Sequence, residues 1–186
     1  DIASHYATWT SVRARSIAEL ISDFGGGDLT NRVDDTMMSS LGQFLATNTD
    51  EDQLYMAHCN ITDAGATRLA TSGLALNAGL RFIGLDLNRI QLSGAVEILK
   101  AVTSLQSKVT AVSLHYNPMF HGVVPSDPNY RLLLDLLSSS AAHRLRVISL
   151  VGTGMCDEVG AHILKALCHH KSIGLLGISF NNIGDG

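Results

Sequence analysis

Hydrophobic positions in one stretch first alternate and then spread to intervals of three and four: Ile83-Gly-Leu-Asp-Leu-Asn-Arg-Ile-Gln-Leu-Ser-Gly-Ala-Val-Glu-Ile-Leu-Lys-Ala-Val102. Ile83, Leu85 and Leu87 carry the two-residue period of a strand. Asn88 and Ile90 follow as a turn. Ser93 is placed to cap a helix, and Ala95, Ile98, Leu99 and Val102 then share one helical face. The pattern therefore predicts a strand, a turn and a helix, in that order.

The unit recurs. Leu54, Met56, Cys59, Ile61, Gly65 and Ala66 match it slot by slot. Val112, Leu114, Asn117 and Met119 match before an interruption. Ile148, Leu150, Thr153 and Met155 match, with Gly160-Ala161 one residue late. Leu176, Ile178, Asn181 and Ile183 match in the last copy. Counted from the first apolar strand position, the copies are 29, 29, 36 and 28 residues apart. A period of this length with this alternation marks a leucine-rich repeat, in which each unit buries its apolar face only against its neighbours.

The period, the Asn or Cys slot and the Gly-Ala helix start resemble the ribonuclease-inhibitor-like type of leucine-rich repeat. The resemblance covers residues 51–186 and, more weakly, 26–50. It implies an α/β solenoid, a horseshoe with a parallel sheet on its concave side and helices on its convex side. A helix is about 10 Å wide while strands stack about 4.8 Å apart, so the helical side must fan out. Ribonuclease inhibitors, immune receptors, Ran GTPase activators and tropomodulins use similar repeats, so the resemblance implies an architecture and leaves the partner open.

Residues 1–50 read as an N-terminal helical cap or a degenerate first repeat. A helix over 4–24 would present Trp9, Val12, Ile17, Leu20, Ile21 and Phe24, and Gly25-Gly-Gly27 ends it; no Gly-Lys-Ser/Thr follows, as a phosphate loop would require. Asn31 and Val33 have the spacing of a repeat turn. Asp35 is placed to cap a helix whose Met38, Leu41, Phe44 and Leu45 face inward. Residues 51–186 are the repeats proper. The third holds an insertion at 118–128 that contains all three prolines, and Asp127-Pro128 opens the helix after it. The last copy has a strand and turn but no Gly-Ala helix, so the chain reads as truncated at its C-terminus, part of something longer.

Side chains alternate across a strand, so the residues between the buried leucines face outward. The first outward row is Tyr55, Gly84, Ser113, Ser149 and Gly177. The second is Ala57, Asp86, His115, Val151 and Ser179. A third, at the strand exit, is His58, Leu87, Tyr116, Gly152 and Phe180. Aromatic residues are the usual anchors of protein interfaces. The candidate partner-binding residues are therefore Tyr55, His58, Asp86, Leu87, His115, Tyr116 and Phe180 on the concave face, with Phe120, His121, Val123 and Val124 on the insertion. Gly84 and Gly152 are expected to leave room for an approaching partner.

Composition and charge narrow the function. The chain has 13 basic and 17 acidic residues, a formal net charge of −4, which argues against general nucleic-acid binding. No apolar run reaches the length of a membrane span. Three cysteines cannot all pair internally, and reduced thiols in an intracellular, cytoplasmic protein are the simplest reading. No cofactor is expected. Cys168-His-His170 lacks a second ligand pair at a zinc spacing, so no metal is expected either. A row of His58, Asp86 and His115 reads as a polar patch, because no nucleophile elbow, phosphate loop or paired-carboxylate motif accompanies it. These observations predict a non-enzymatic protein-interaction scaffold, such as one subunit of a larger intracellular assembly. The alternatives are a GTPase-activating module like the Ran activators, with Arg89 as the one basic rim residue, and the ligand-sensing segment of an immune-type receptor.

Overall fold

The computed structural model describes residues 34–139, 144–168 and 172–184. The predicted helix at 4–24 and the glycine loop after it lie outside the described residues. So do His169 and His170.

Five three-residue strands form one parallel sheet in chain order: β1 (Gln53–Tyr55), β2 (Phe82–Gly84), β3 (Ala111–Ser113), β4 (Val147–Ser149) and β5 (Leu175–Gly177). The register pairs Leu54 with Ile83, Ile83 with Val112, Val112 with Ile148 and Ile148 with Leu176, each copy aligned on its first apolar position. Five helices are described: α1 (Met38–Thr47), α2 (Asp63–Leu69, prolonged by one π turn over Ala70–Leu74), α3 (Leu92–Val102), α4 (Pro128–Ser138) and α5 (Asp157–Leu167). Each packs against the next, so the chain is a row of β–turn–α units.

The core lies between the sheet and this helical layer. Leu54, Ile83, Val112 and Ile148 of the strands, Leu85, Leu114 and Leu150 just beyond them, and Ala66, Ala95, Leu99 and Leu133 of the helices are all buried. Adjacent helices come close where the Gly-Ala pair opens them. A Cβ on Gly94 would stand 2.8 Å from the Asp63 Cα and 3.1 Å from the Ala66 Cβ, so a larger residue would push α3 off α2.

Capping follows a different plan from the one the sequence suggests. Ser93 does not cap its own helix, whose N-cap is Gln91; its hydroxyl bonds the Asp63 carboxylate of the preceding unit. Asp35 does not cap α1 either, whose N-cap is Met37. Its carboxylate accepts from the Thr62 amide at 2.8 Å and from the Thr62 hydroxyl. An acid in one unit thus tethers the helix start of the next. Asp127 caps α4 as its sequence implies, accepting from the Asn129 amide at 2.7 Å.

Candidate functional site

The site is built from the turns that follow the strands. In each turn one side chain points inward and satisfies the bent backbone. The Asn88 amide group donates to the carbonyls of Met56, Leu85 and Asp86, and its oxygen accepts from the amides of Cys59 and Ile61. Asn117 donates to Leu85, Leu114 and His115 and accepts from Ile90. Asn181 repeats the arrangement with Leu150, Ile178, Thr153 and Met155. Thr153 fills the same slot in the fourth unit and donates to Leu150. Buried backbone polar groups must find partners, and this ladder supplies them.

The residue before each ladder position is His58, Leu87, Tyr116, Gly152 or Phe180, and all five have left-handed backbone, with φ of 60°, 55°, 52°, 65° and 58°. That conformation reverses the chain as it leaves the strand and lets the following side chain turn inward. The other described non-glycine residue with positive φ is Asn60, a type that tolerates it. For histidine, leucine, tyrosine and phenylalanine the conformation costs about 1–2 kcal/mol each, and glycine would avoid the cost. Four of the five units nevertheless hold a bulky side chain there. Leu87, Tyr116 and Phe180 are 43%, 47% and 78% exposed, and His58 is exposed as well. The Tyr116 ring is 6.5 Å from that of Phe180 at a 37° tilt, and 6.5 Å from that of His115, edge to face. On the third outward row Tyr116 and Phe180 therefore form an exposed aromatic pair, with His58 and Leu87 exposed in the units before them.

A polar line runs beside it across the outer sheet face. The Asp86 carboxylate accepts from the Ser113 hydroxyl at 2.5 Å and from the His115 amide at 2.9 Å, and it is hydrogen-bonded to the Tyr55 phenol. Burial and then the Asp86 charge push the Tyr55 hydroxyl up to about 12. The His115 Nε2 shares a hydrogen bond with the Ser149 hydroxyl. Burial pulls the His115 pKa below its ordinary value, against the opposing pull of Asp86. The line fixes the side chains of four neighbouring strands relative to one another.

Three sequence expectations need correction here. Asp86 is 2% exposed, so it orders the surface from beneath and presents nothing to a partner. Phe120, read as an insertion anchor, is 4% exposed and belongs to the core; its amide donates to the Thr153 carbonyl at 3.0 Å, which draws the insertion onto the fourth turn. Of the other insertion residues, Val123 packs against the core, His121 lies over Gly154, and Val124 is exposed. The room expected at the glycines is taken by the protein's own rings. A Cβ on Gly84 would stand 2.5 Å from Tyr55 Cδ2, and one on Gly152 would stand 2.4 Å from Tyr116 Cδ1. Tyr55 and His115 are half-buried in the line. Ser113 and Ser149 were on the outward row in the sequence, but only their cross-strand neighbours reveal that they complete it.

The thiols divide by environment. Cys59 is buried in its ladder slot, and burial pushes its thiol up to about 11; Cys156 and Cys168 are exposed. Among the described residues, no helix is long and apolar enough to cross a membrane.

No family model and no curated protein matches the sequence. Solved structures do match in fold. A leiomodin-1 structure described as actin-binding site 2 superposes with a TM-score of 0.51 over 73% of this chain and 73% of its own, at 16% identity. The tropomodulin C-terminal domain of Caenorhabditis elegans superposes with a TM-score of 0.56 over 78% of this chain and 83% of its own, at 14% identity. At such identities the likeness is one of fold, an α/β row of repeated units.

Proposed function

We propose that this chain is a non-enzymatic protein-interaction module built from leucine-rich repeats of the ribonuclease-inhibitor-like type, and that its binding surface is the strand-exit ridge of His58, Leu87, Tyr116 and Phe180. The observation that carries the reading is the left-handed backbone of all four. Strain kept at a site where glycine would relieve it points to a use for the side chain. The fourth unit shows that the fold accepts glycine there, since Gly152 does the same backbone task. The rest of the polar line supports the ridge by holding the strands in place. The same reading takes residues 1–50 as a cap or worn first repeat and 51–186 as the repeats, with Val124 and His121 of the insertion extending the surface at its edge, in a protein of the cytoplasm.

Actin is the first partner to test, because the leiomodin-1 domain that shares this fold is described as an actin-binding site. Co-sedimentation of the 186-residue chain with actin filaments, beside a capture of partners from extract, provides the measurement. Tyr116→Gly with Phe180→Gly keeps the backbone conformation and removes the rings. Loss of a bound partner in that double variant supports the ridge. Undiminished binding moves the interface to the helical layer. A GTPase-activating module is the competing reading, with no catalytic role assigned to the exposed Arg89; turnover assays on a panel of small GTPases separate the two.

A further inference from the structure

The strands have an entry end as well as an exit end. The loops that enter them lie opposite the ridge: residues 75–81 before β2, 103–110 before β3 and 139–146 before β4. Their backbones run in register, with the Thr110 amide on the Arg81 carbonyl at 2.8 Å and the Arg146 amide on the Thr110 carbonyl at 2.7 Å. The charged side chains of these three loops are Arg81, Lys108, Arg144 and Arg146; all four residues are exposed, and the loops hold no carboxylate. The adjoining elements do carry acids: Asp50, Glu51 and Asp52 before β1, Glu97 in α3 and Asp135 in α4. Asp52 is the neighbour of Arg81 across the sheet, and Glu97 is paired with Lys100 at 2.6 Å. Lys108, Arg144 and Arg146 then stand against one exposed carboxylate, Asp135. The edge is acidic at its first unit and basic over the third and fourth.

Apolar side chains project from the same loops. Leu105 is 91% exposed and Leu76 is 53% exposed. They occupy equivalent places in adjacent units, 105 − 76 = 29 residues apart, and the Ser104 hydroxyl donates to the Ala75 carbonyl at 3.4 Å. The Arg144 guanidinium donates to the Leu105 carbonyl at 3.1 Å and to the Ser107 carbonyl, which fixes a cation at the base of the leucine loop. Lys108 follows Leu105 by three residues. An apolar tip among cations has the make-up of a contact at a membrane surface, where apolar side chains enter the headgroup boundary and cations meet anionic lipids. A protein partner must match the shape of these loops. A fluid lipid surface conforms to a side chain that protrudes.

We propose that the strand-entry edge around Leu105 docks on an anionic lipid surface, with Leu105 and Leu76 in the headgroup boundary and Lys108, Arg144 and Arg146 against the headgroups. This is attachment to a surface, without a span. It leaves the ridge, at the other end of the strands, free for a protein partner.

The test sediments the 186-residue chain with sucrose-loaded vesicles of phosphatidylcholine alone, or of phosphatidylcholine mixed with phosphatidylserine, at low and high salt. The chain is expected to bind the anionic vesicles about tenfold more tightly than the neutral ones at low salt, with the gap closing at high salt. Leu105→Ser should lower that affinity about fivefold, and Lys108→Glu about tenfold, each with an unchanged melting temperature because both side chains are exposed. Tyr116→Gly with Phe180→Gly should bind vesicles like the parent chain. Equal binding to neutral and anionic vesicles, or no binding at millimolar lipid, overturns the proposal. So does binding that ignores both Leu105→Ser and Lys108→Glu, or that is lost in the ridge double variant, since either places the contact elsewhere. Poly-glutamate bound more tightly than the vesicles, sensitive to Lys108→Glu and indifferent to Leu105→Ser, overturns the lipid in favour of an acidic protein. A dimer in sedimentation velocity that Lys108→Glu dissolves overturns it in favour of a second copy, with Asp50, Glu51 and Asp52 as the counter-charge.

Discussion

The ring of Tyr116 lies on the backbone of Gly152, where a Cβ would meet Tyr116 Cδ1 at 2.4 Å, and both residues have left-handed backbone. Tyr116 therefore reaches across its neighbour in the row towards Phe180, whose ring it meets at 6.5 Å. The glycine interrupts the line of bulky side chains and gives the tyrosine a floor. One small residue thus turns separate aromatics into one surface.

Gly152→Ala tests that floor. The new methyl group collides with the ring and is itself in a strained conformation. Stability should fall by about 1–2 kcal/mol in urea denaturation. The ring must also lift away, so binding through Tyr116 should weaken. Undiminished binding through Tyr116 in this variant would show that the ring already spends its time elsewhere.

Phe180→Gly should do the reverse to stability. The side chain is 78% exposed and its φ is 58°, so little packing is lost and the strain is relieved. A rise of about 0.5–1 kcal/mol is expected, with weaker partner binding, the pattern of a residue retained for function at the expense of stability. Leu87→Gly should gain less, because more of that side chain is covered.

The repeat units were legible in the sequence because their burial is periodic. Leu54, Ile83, Val112, Ile148 and Leu176 align in the sheet as their spacing implies, and the first outward row follows from strand alternation. Asn88 was legible too, since a turn with buried backbone needs such a side chain. The left-handed row was not. Its signal is a glycine, and four of five copies hide the slot under His, Leu, Tyr or Phe; Gly152 alone marked it. Phe120 was misread because an insertion has no repeat template, so nothing in its spacing says inward or outward. Ser93 and Asp35 were misread because their partners, Asp63 and Thr62, come from neighbouring units.

Asn117→Ala should be costly. It removes one acceptor and several donor contacts at a position 1% exposed, leaving the Ile90 amide without its acceptor, while the Leu85 carbonyl keeps the Asn88 amide. Each buried polar group left unsatisfied costs roughly 1–3 kcal/mol. Leu85→Ala, at a fully buried position between the same two units, should cost about 2–5 kcal/mol. Asn181→Ala should cost less than Asn117→Ala, since its slot is only partly buried. Denaturant midpoints of the three variants give the order directly; an Asn181 variant as damaged as the Asn117 variant would contradict the ladder as an explanation.

Tyr55 makes the polar line measurable at alkaline pH. Its hydroxyl is pushed to about 12 from an ordinary 10.0, first by burial and then by Asp86. In the unfolded chain the phenol loses its proton near its ordinary value, while in the folded chain it keeps it. Between about pH 10 and 12 the folded state therefore binds more protons than the unfolded state, so stability falls as pH rises through that window. Below about pH 10 the phenol is protonated in both states, and this group makes stability independent of pH. Ultraviolet titration of tyrosinate in the folded chain should show a component near pH 12, and Tyr55→Phe should remove it. The same substitution should flatten the alkaline decline in stability. If the late component is unchanged in Tyr55→Phe, it belongs to another tyrosine, such as Tyr130, whose hydroxyl burial also pushes up, and Tyr55 does not hold its proton through this window.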